Sequence, residues 1–183
     1  MYASFSRLLA LCLVLSLSAC HLLEMPNNNS SNNSSSGSAT ATASAYIERF
    51  KPIAIAEMKR TGVPASIKMA QAILESGYGR SELAKKANNH FGIKCGSGWT
   101  GKTYQLRSKN ACFRAYSSAE ESFRQHSDFL RNGSRYAELF KLKTTDYKGW
   151  AKGLRKAGYA TSSSYPSKLI ELIERYRLHQ YDQ

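Results

Sequence analysis

The run Ile73-Leu74-Glu75-Ser76-Gly77-Tyr78-Gly79-Arg80-Ser81, followed closely by Asn88-Asn89-His90-Phe91-Gly92-Ile93-Lys94, decides how this chain is read. Upstream of it, Pro64 opens a helical pattern in which Ile67, Ala70, Gln71 and Leu74 fall at i, i+3, i+4 and i+7. Gly77 stops that helix, which puts Glu75 in its last turn. Aligned peptide dipoles leave partial negative charge at this end, so an acid there keeps its proton to higher pH, as it does beside an apolar run. A carboxyl still protonated near neutral pH is the proton donor that cleavage of a glycosidic bond requires. The same position also suits an exposed helix-end glutamate with no role, and position alone does not choose between the two.

Working outward to the N-terminus, Arg7 precedes a mostly apolar run from Leu8 to Leu17, too short to span a bilayer comfortably. Leu17-Ser18-Ala19-Cys20 follows, with the look of a bacterial lipobox. Residues 1–19 therefore read as a lipoprotein signal peptide. Cleavage before Cys20 would expose a thiol and an amine for acylation, and more than one acyl chain makes anchoring stable. An ordinary secretory signal with an incidental Cys20 is the alternative. Residues 24–44 are dominated by Asn, Ser, Ala and Thr and have little to bury. The expectation is a lipidated Cys and flexible tether over 20–44, then one folded domain over 45–183.

Arg7 is the sole base and Glu24 the sole acid before residue 45, so the domain carries the whole formal charge of +13. A strongly basic face invites a polyanion. For an exported protein that means peptidoglycan carboxylates or anionic lipid, with nucleic acid excluded as a partner. Of the four cysteines, Cys12 lies in the signal and Cys20 is the lipidation candidate. Cys95 and Cys112 remain as an even pair, expected to form a disulfide outside the cytoplasm. His90 and His126 have no metal-like spacing and read as structural, and neither metal nor cofactor is expected.

The domain reads as α+β and mostly helical. Helices are expected from Pro52 to about Arg60, over the Glu75 segment, and over Ser81–Ala87. Short extended pieces follow at Phe91–Cys95, Thr103–Leu106 and Ala111–Tyr116, with a Cys95–Cys112 bridge stapling two of them. Ser117-Ser118-Ala119-Glu120-Glu121 offers a capping box in either register, ahead of Phe123, Phe129 and Leu130 as candidate core. Tyr147, Trp150, Ala151 and Leu154 mark a further helix, with Gly158 just past its end. Leu169, Leu172, Ile173 and Tyr176 mark the last, with Pro166 in its first turn.

The pieces Gly62-Val63-Pro64-Ala65-Ser66-Ile67, Ala70 to Gly77, Asn89 to Lys94, Phe113-Arg114-Ala115-Tyr116-Ser117-Ser118 and Ala157-Gly158-Tyr159-Ala160-Thr161 occur in one order. Together they resemble glycoside hydrolase family 73, the endo-β-N-acetylglucosaminidases of the bacterial cell wall, which include the hydrolase domain of the flagellar rod-cap protein. The resemblance implies a lysozyme-like fold with a small β-hairpin lobe, and hydrolysis of peptidoglycan glycan strands after N-acetylglucosamine. It makes Glu75 the general acid and Tyr159 the aromatic near the cleaved bond, able to hold an acetamido group or stack on sugar. It places Asn89 and Phe91 near the cleft. Trp99 is a candidate sugar platform, since an aromatic face packs on C–H surface. Each also has a plainer reading, as a lobe anchor, a capping contact or core.

The family's usual scheme adds a second carboxylate on the hairpin lobe. Here the corresponding stretch, Thr100 to Ala111, contains no Asp or Glu. Three accounts stay open: the substrate's own 2-acetamido group attacks the anomeric carbon, Glu120 or Glu121 serves, or the cleft binds glycan without cutting it. Rival functions are therefore a lytic muramidase or transglycosylase and a non-catalytic peptidoglycan-binding lipoprotein. His21 does not resemble the Asp that retains lipoproteins at the inner membrane. The expected location is thus the bacterial cell envelope, with a monomer lipid-anchored through Cys20 to the outer membrane and facing the periplasm.

Overall fold

The computed structural model describes residues 31–183, with side chains from residue 42 onward. The signal peptide, Cys20 and the tether as far as residue 30 lie outside the described residues. Helix α1 (Ser31–Thr61) leads into α2 (Ala65–Ser76) and the short α3 (Glu82–Ala87). Strands β1 (Thr103–Leu106) and β2 (Ala111–Arg114) pair antiparallel, Thr103 facing Arg114 and Leu106 facing Ala111. Helices α4 (Ala119–Asn132), α5 (Tyr147–Lys156) and α6 (Tyr165–Arg175) complete the fold. Tight 3-10 turns lie at Ser134–Lys141 and Leu178–Tyr181.

Helix α2 is the axis of the molecule. It packs against α1, α5, α6 and the C-terminal 3-10 turn, and Ala65 to Ile73 are buried on every side. A helix buried all round must satisfy its polar groups internally. Pro64 at its N-cap has no side chain to cap with, and Asp182 caps the helix instead. That carboxylate accepts from the Ser66 backbone N–H at 2.8 Å and from the Ser66 hydroxyl at 2.6 Å. Lys68, wholly buried, donates to the Phe123 carbonyl at 3.2 Å and reaches His126 Nδ1 at 3.0 Å. Burial drives its pKa down to about 7, with Glu57 pulling the other way.

Three expectations need correction. The helix expected from Pro52 is only the end of α1, which begins at Ser31 and has Pro52 inside it. Pro52 lacks the N–H that would bond the Glu48 carbonyl, but both residues face solvent, where water takes that role. Across the interruption Tyr46, Ile47, Phe50, Ala54 and Met58 keep one buried stripe against the core. The expected flexible tether over 24–44 is therefore helical from residue 31, and Ala43 is fully buried, so the packed domain starts before residue 45.

Third, Phe91–Cys95 is not a strand. Gly92 is left-handed, with φ 63°, and the segment makes one isolated bridge, Lys94 to Phe113. The second strand ends at Arg114, short of Tyr116. Cys95 and Cys112 do form a disulfide, with Cα atoms 5.5 Å apart, which ties the 91–95 segment to β2. At the head of α4 the cap register is Ser118, whose hydroxyl accepts from the Glu121 N–H at 3.1 Å.

Candidate active site

Glu75 stands one residue before the end of α2, and the turn behind it is held on several sides. Gly77 caps the helix in the left-handed region, and Tyr78 and Gly79 follow it there with φ 60° and 74°. The buried Ser76 hydroxyl donates to the Ala72 carbonyl at 2.5 Å and accepts from the Gly79 N–H at 2.7 Å. A Cβ on Gly79 would meet the Tyr46 ring at 3.1 Å. Within Glu75-Ser76-Gly77-Tyr78-Gly79 the glutamate thus faces out, the serine ties the turn inward, and the glycines reverse the chain.

The glutamate opens into a cleft of about 560 Å³. Phe91 to Lys94 and Arg114 form one side. Phe129, Arg135 and Tyr136 form another, and Gly158-Tyr159-Ala160 closes it. Glu75 is solvent-accessible, yet the protein crowded around it displaces much of its water, and this burial raises its pKa above the usual carboxylate range. Two weaker influences oppose: the neighbouring Tyr165 hydroxyl and the Lys109 ammonium. Gln71, one turn upstream on α2, donates to that tyrosine oxygen at 3.0 Å. Gln71 thus fixes the Tyr165 hydroxyl beside the acid. Gln71 is the i−4 neighbour of Glu75, a spacing visible in the sequence, whereas nothing local signals Tyr165.

Tyr159 sits beside the acid. Its ring stacks on Tyr165 at 5.8 Å and meets the edge of His126. Its hydroxyl is buried without a hydrogen-bond partner, as is that of Tyr136 in the same cleft. Burial holds the Tyr159 pKa well above the ordinary phenol value, with Tyr165 and Glu75 adding to it. Two orphaned hydroxyls buried in the lining of one cleft are unusual, and a ligand's polar group is a natural partner. Phe91 is buried at the cleft floor and stacks on His126, ring centres 3.9 Å apart.

Two other candidates lie elsewhere. Asn89 is buried and fully engaged with backbone: its amide donates to the Ile93 and Arg114 carbonyls, and its oxygen accepts from the Phe91 and Ile93 N–H groups. It folds the 89–93 turn and does not line the cleft. Trp99 lies behind the cleft, under the Arg114 guanidinium at 4.4 Å, and donates to the Lys102 carbonyl.

Among the residues lining the cleft, Glu75 is the sole carboxylate. Glu121 accepts from the Ser117 N–H and hydroxyl at 2.7 and 2.6 Å, which lowers its pKa. Glu120 lines a separate hollow under α1 with Tyr46, Arg49 and His90. Among the described residues no three His, Cys, Asp or Glu side chains are grouped to hold a metal ion.

The sequence profile described as mannosyl-glycoprotein endo-beta-N-acetylglucosaminidase matches residues 51–178. The chain is 40% identical over 129 residues to the exo-glucosaminidase LytG of Bacillus subtilis, covering 64% of this chain and 46% of that protein. It is 31% identical over 154 residues to the peptidoglycan hydrolase FlgJ of Pseudomonas aeruginosa, covering 76% of this chain and 38% of that one. It thus spans less than half the length of these relatives. The crystal structure of a peptidoglycan hydrolase from Sphingomonas sp. A1 superposes with a TM-score of 0.66 at 38% identity, over 75% of this chain and 91% of that one. The helices packed around a two-stranded lobe are the lysozyme-like arrangement of such hydrolase domains.

Proposed function

Because the chain belongs to the glucosaminidase family, glycoside hydrolase family 73, we propose that it is a peptidoglycan hydrolase cutting β-1,4 bonds after N-acetylglucosamine. The observation that carries this reading is a single carboxylic acid at a helix C-terminus, its pKa raised by burial, lining a cleft with two unpartnered tyrosine hydroxyls. Glu75 gives its proton to the glycosidic oxygen as the bond to the anomeric carbon breaks. With no second acid in the cleft, the substrate's acetamido oxygen forms the new bond to that carbon. Water then attacks the same carbon, loses its proton to the Glu75 carboxylate and opens the ring. We assign Tyr159, which lines the cleft with Glu75, to hold the acetamido group.

Zymography on embedded peptidoglycan, followed by reducing-end analysis of the fragments, tests this reading. N-acetylglucosamine at the new reducing end is expected. Muramic acid there would indicate a muramidase, a 1,6-anhydromuramyl terminus with no reducing end would indicate a transglycosylase, and no clearing would indicate a binding protein.

The envelope setting is proposed from the sequence. Residues 1–19 act as a lipoprotein signal peptide, Cys20 is acylated, and the folded domain acts as a monomer on glycan from the outer membrane. Among the described residues no helix is long and apolar enough to cross a membrane. Cys20→Ser should release the protein from the membrane fraction. Its continued sedimentation with membranes would replace the lipid anchor with adsorption through the basic surface.

A further inference from the structure

Three cations line the cleft around Glu75: Lys94, Arg114 and Arg135. Arg60 and Arg175 show how this chain uses arginine for stability, the first bonded to Glu57 and Asp128 at 2.7 Å each and the second to Glu171. Arg114 and Arg135 are arranged differently. Among the described residues, neither has a carboxylate within ion-pair distance. Each lies on aromatic rings instead: Arg114 is 4.4 Å from the centre of Trp99, and Arg135 is 4.8 Å from Tyr136 and 5.9 Å from Phe129. Stacking holds a guanidinium plane in place and leaves its edge donors open.

Arg114 Nε is buried with no hydrogen-bond partner; the Tyr116 hydroxyl is close enough to feel the cation but is not in bonding geometry. Both arginines also line the adjoining hollow of about 340 Å³, which Gln125 and Asn132 share. The one carboxylate in that hollow, Asp128, is already held by Arg60. Cleft and hollow therefore form one groove whose common wall offers two unoccupied arginine forks.

A neutral sugar polymer gives such forks nothing to bind. Peptidoglycan glycan is neutral except at the 3-O-lactyl substituent of each muramyl sugar, which ends in a free carboxylate or in a peptide bearing carboxylates. We propose that Arg114 and Arg135 form a carboxylate subsite that selects glycan presenting this anion in the groove beside the bond to be cut. This rests on reading the cleft as a peptidoglycan site. Paired arginine–carboxylate contacts are charge-assisted and directional. A site built for them discriminates against a substrate lacking the group. The net charge of +13 also favours a carboxylate over its amide at long range, but salt screens that preference and it needs no particular side-chain geometry. A fork acts at contact and is lost when Lys replaces Arg.

The test uses the full chain carrying Glu75→Gln, so that bound glycan stays intact, and calorimetric titration with two glycans of matched length. One bears its peptides and the other is stripped to the free lactyl carboxylate; each is compared with its own carboxamide derivative. At least one pair should differ by about tenfold in Kd, and the pair that differs identifies the source of the anion. Arg135→Gln should remove most of the difference, and Arg135→Lys, which keeps charge without the fork, should restore only part of it. Equal affinity within both pairs, or full discrimination in the arginine variants, would overturn the proposal. Amidation alters only the glycan, so a folding defect in a variant does not blunt the comparison. Turnover by the unmodified protein is assayed in parallel. Its absence would defeat the hydrolase reading while the binding difference still judged the arginines.

Discussion

The two walls of the cleft are built by opposite means. One is the end of α2, a helix buried on every side, whose polar side chains find partners in α4, α6 and the C-terminal tail. The other is the lobe from Phe91 to Arg114, with two four-residue strands that are mostly half-buried. The lobe is held by one disulfide, the Asn89 turn and the Arg114–Trp99 stack. The helical wall carries the acid, while the lobe carries Lys94, Lys102, Arg107, Lys109 and Arg114 and no acid at all. A proton donor must be placed to within a fraction of an ångström, which rigid packing achieves. Charge on the surface of a thin lobe is free to vary without cost to the core, and here the wall that would supply a second carboxylate is positive instead.

The largest effect should come from Glu75→Gln. The amide keeps the shape but has no proton to give, so lysis should fall by about a hundredfold or more, with melting temperature nearly unchanged. Comparable lysis by the variant would take the chemistry away from the helical wall.

Replacing Cys95 and Cys112 by Ser should cost about 3 kcal/mol in the chain-entropy account of a loop this size. Hydrogen exchange should then show the loss concentrated in residues 91–114, with α2 still protected. Equal loss of protection in both regions would mean that the walls are one cooperative unit.

The pH dependence of activity links the walls. The acid must be protonated to work, so activity should fall as pH rises through the Glu75 pKa, which burial places above the usual carboxylate range. Tyr165→Phe and Lys109→Met each remove an influence that favours the ionised form. Both should move the alkaline limb of the profile to higher pH, the tyrosine change more than the lysine change. A downward shift in either variant would reverse the electrostatic account.

The smallest effect belongs to Glu120→Gln and Glu121→Gln. Each should keep most activity and lose about 0.5 kcal/mol of stability, since both sit in the first turn of α4 and away from the cleft. A severe loss of activity with intact folding would put one of them in the mechanism.

What could be read from sequence follows how local each feature is. Gly77 ending α2 and the serine and glycine boundaries of the later helices are settled by neighbours in the chain, and so the position of Glu75 was legible. Pro52 suggested a helix start because a proline usually marks one, whereas the buried stripe from Tyr46 to Met58 carries the helix through it. Asn89 sits in a cleft-like motif, but its side chain serves backbone two to four residues away and across the lobe. Asp182 capping α2, the approach of Tyr165 to Glu75, and the meeting of Arg114 with Arg135 are made by folding alone. No periodicity or spacing encodes them.

The claim that the substrate supplies what the lobe lacks is tested most directly by the anomeric configuration of freshly released product, followed by NMR before mutarotation. Two displacements at one carbon restore its configuration, so a retained β-anomer is the expected result. An inverted α-anomer would contradict it, because inversion requires a water-activating base that neither wall of this cleft contains.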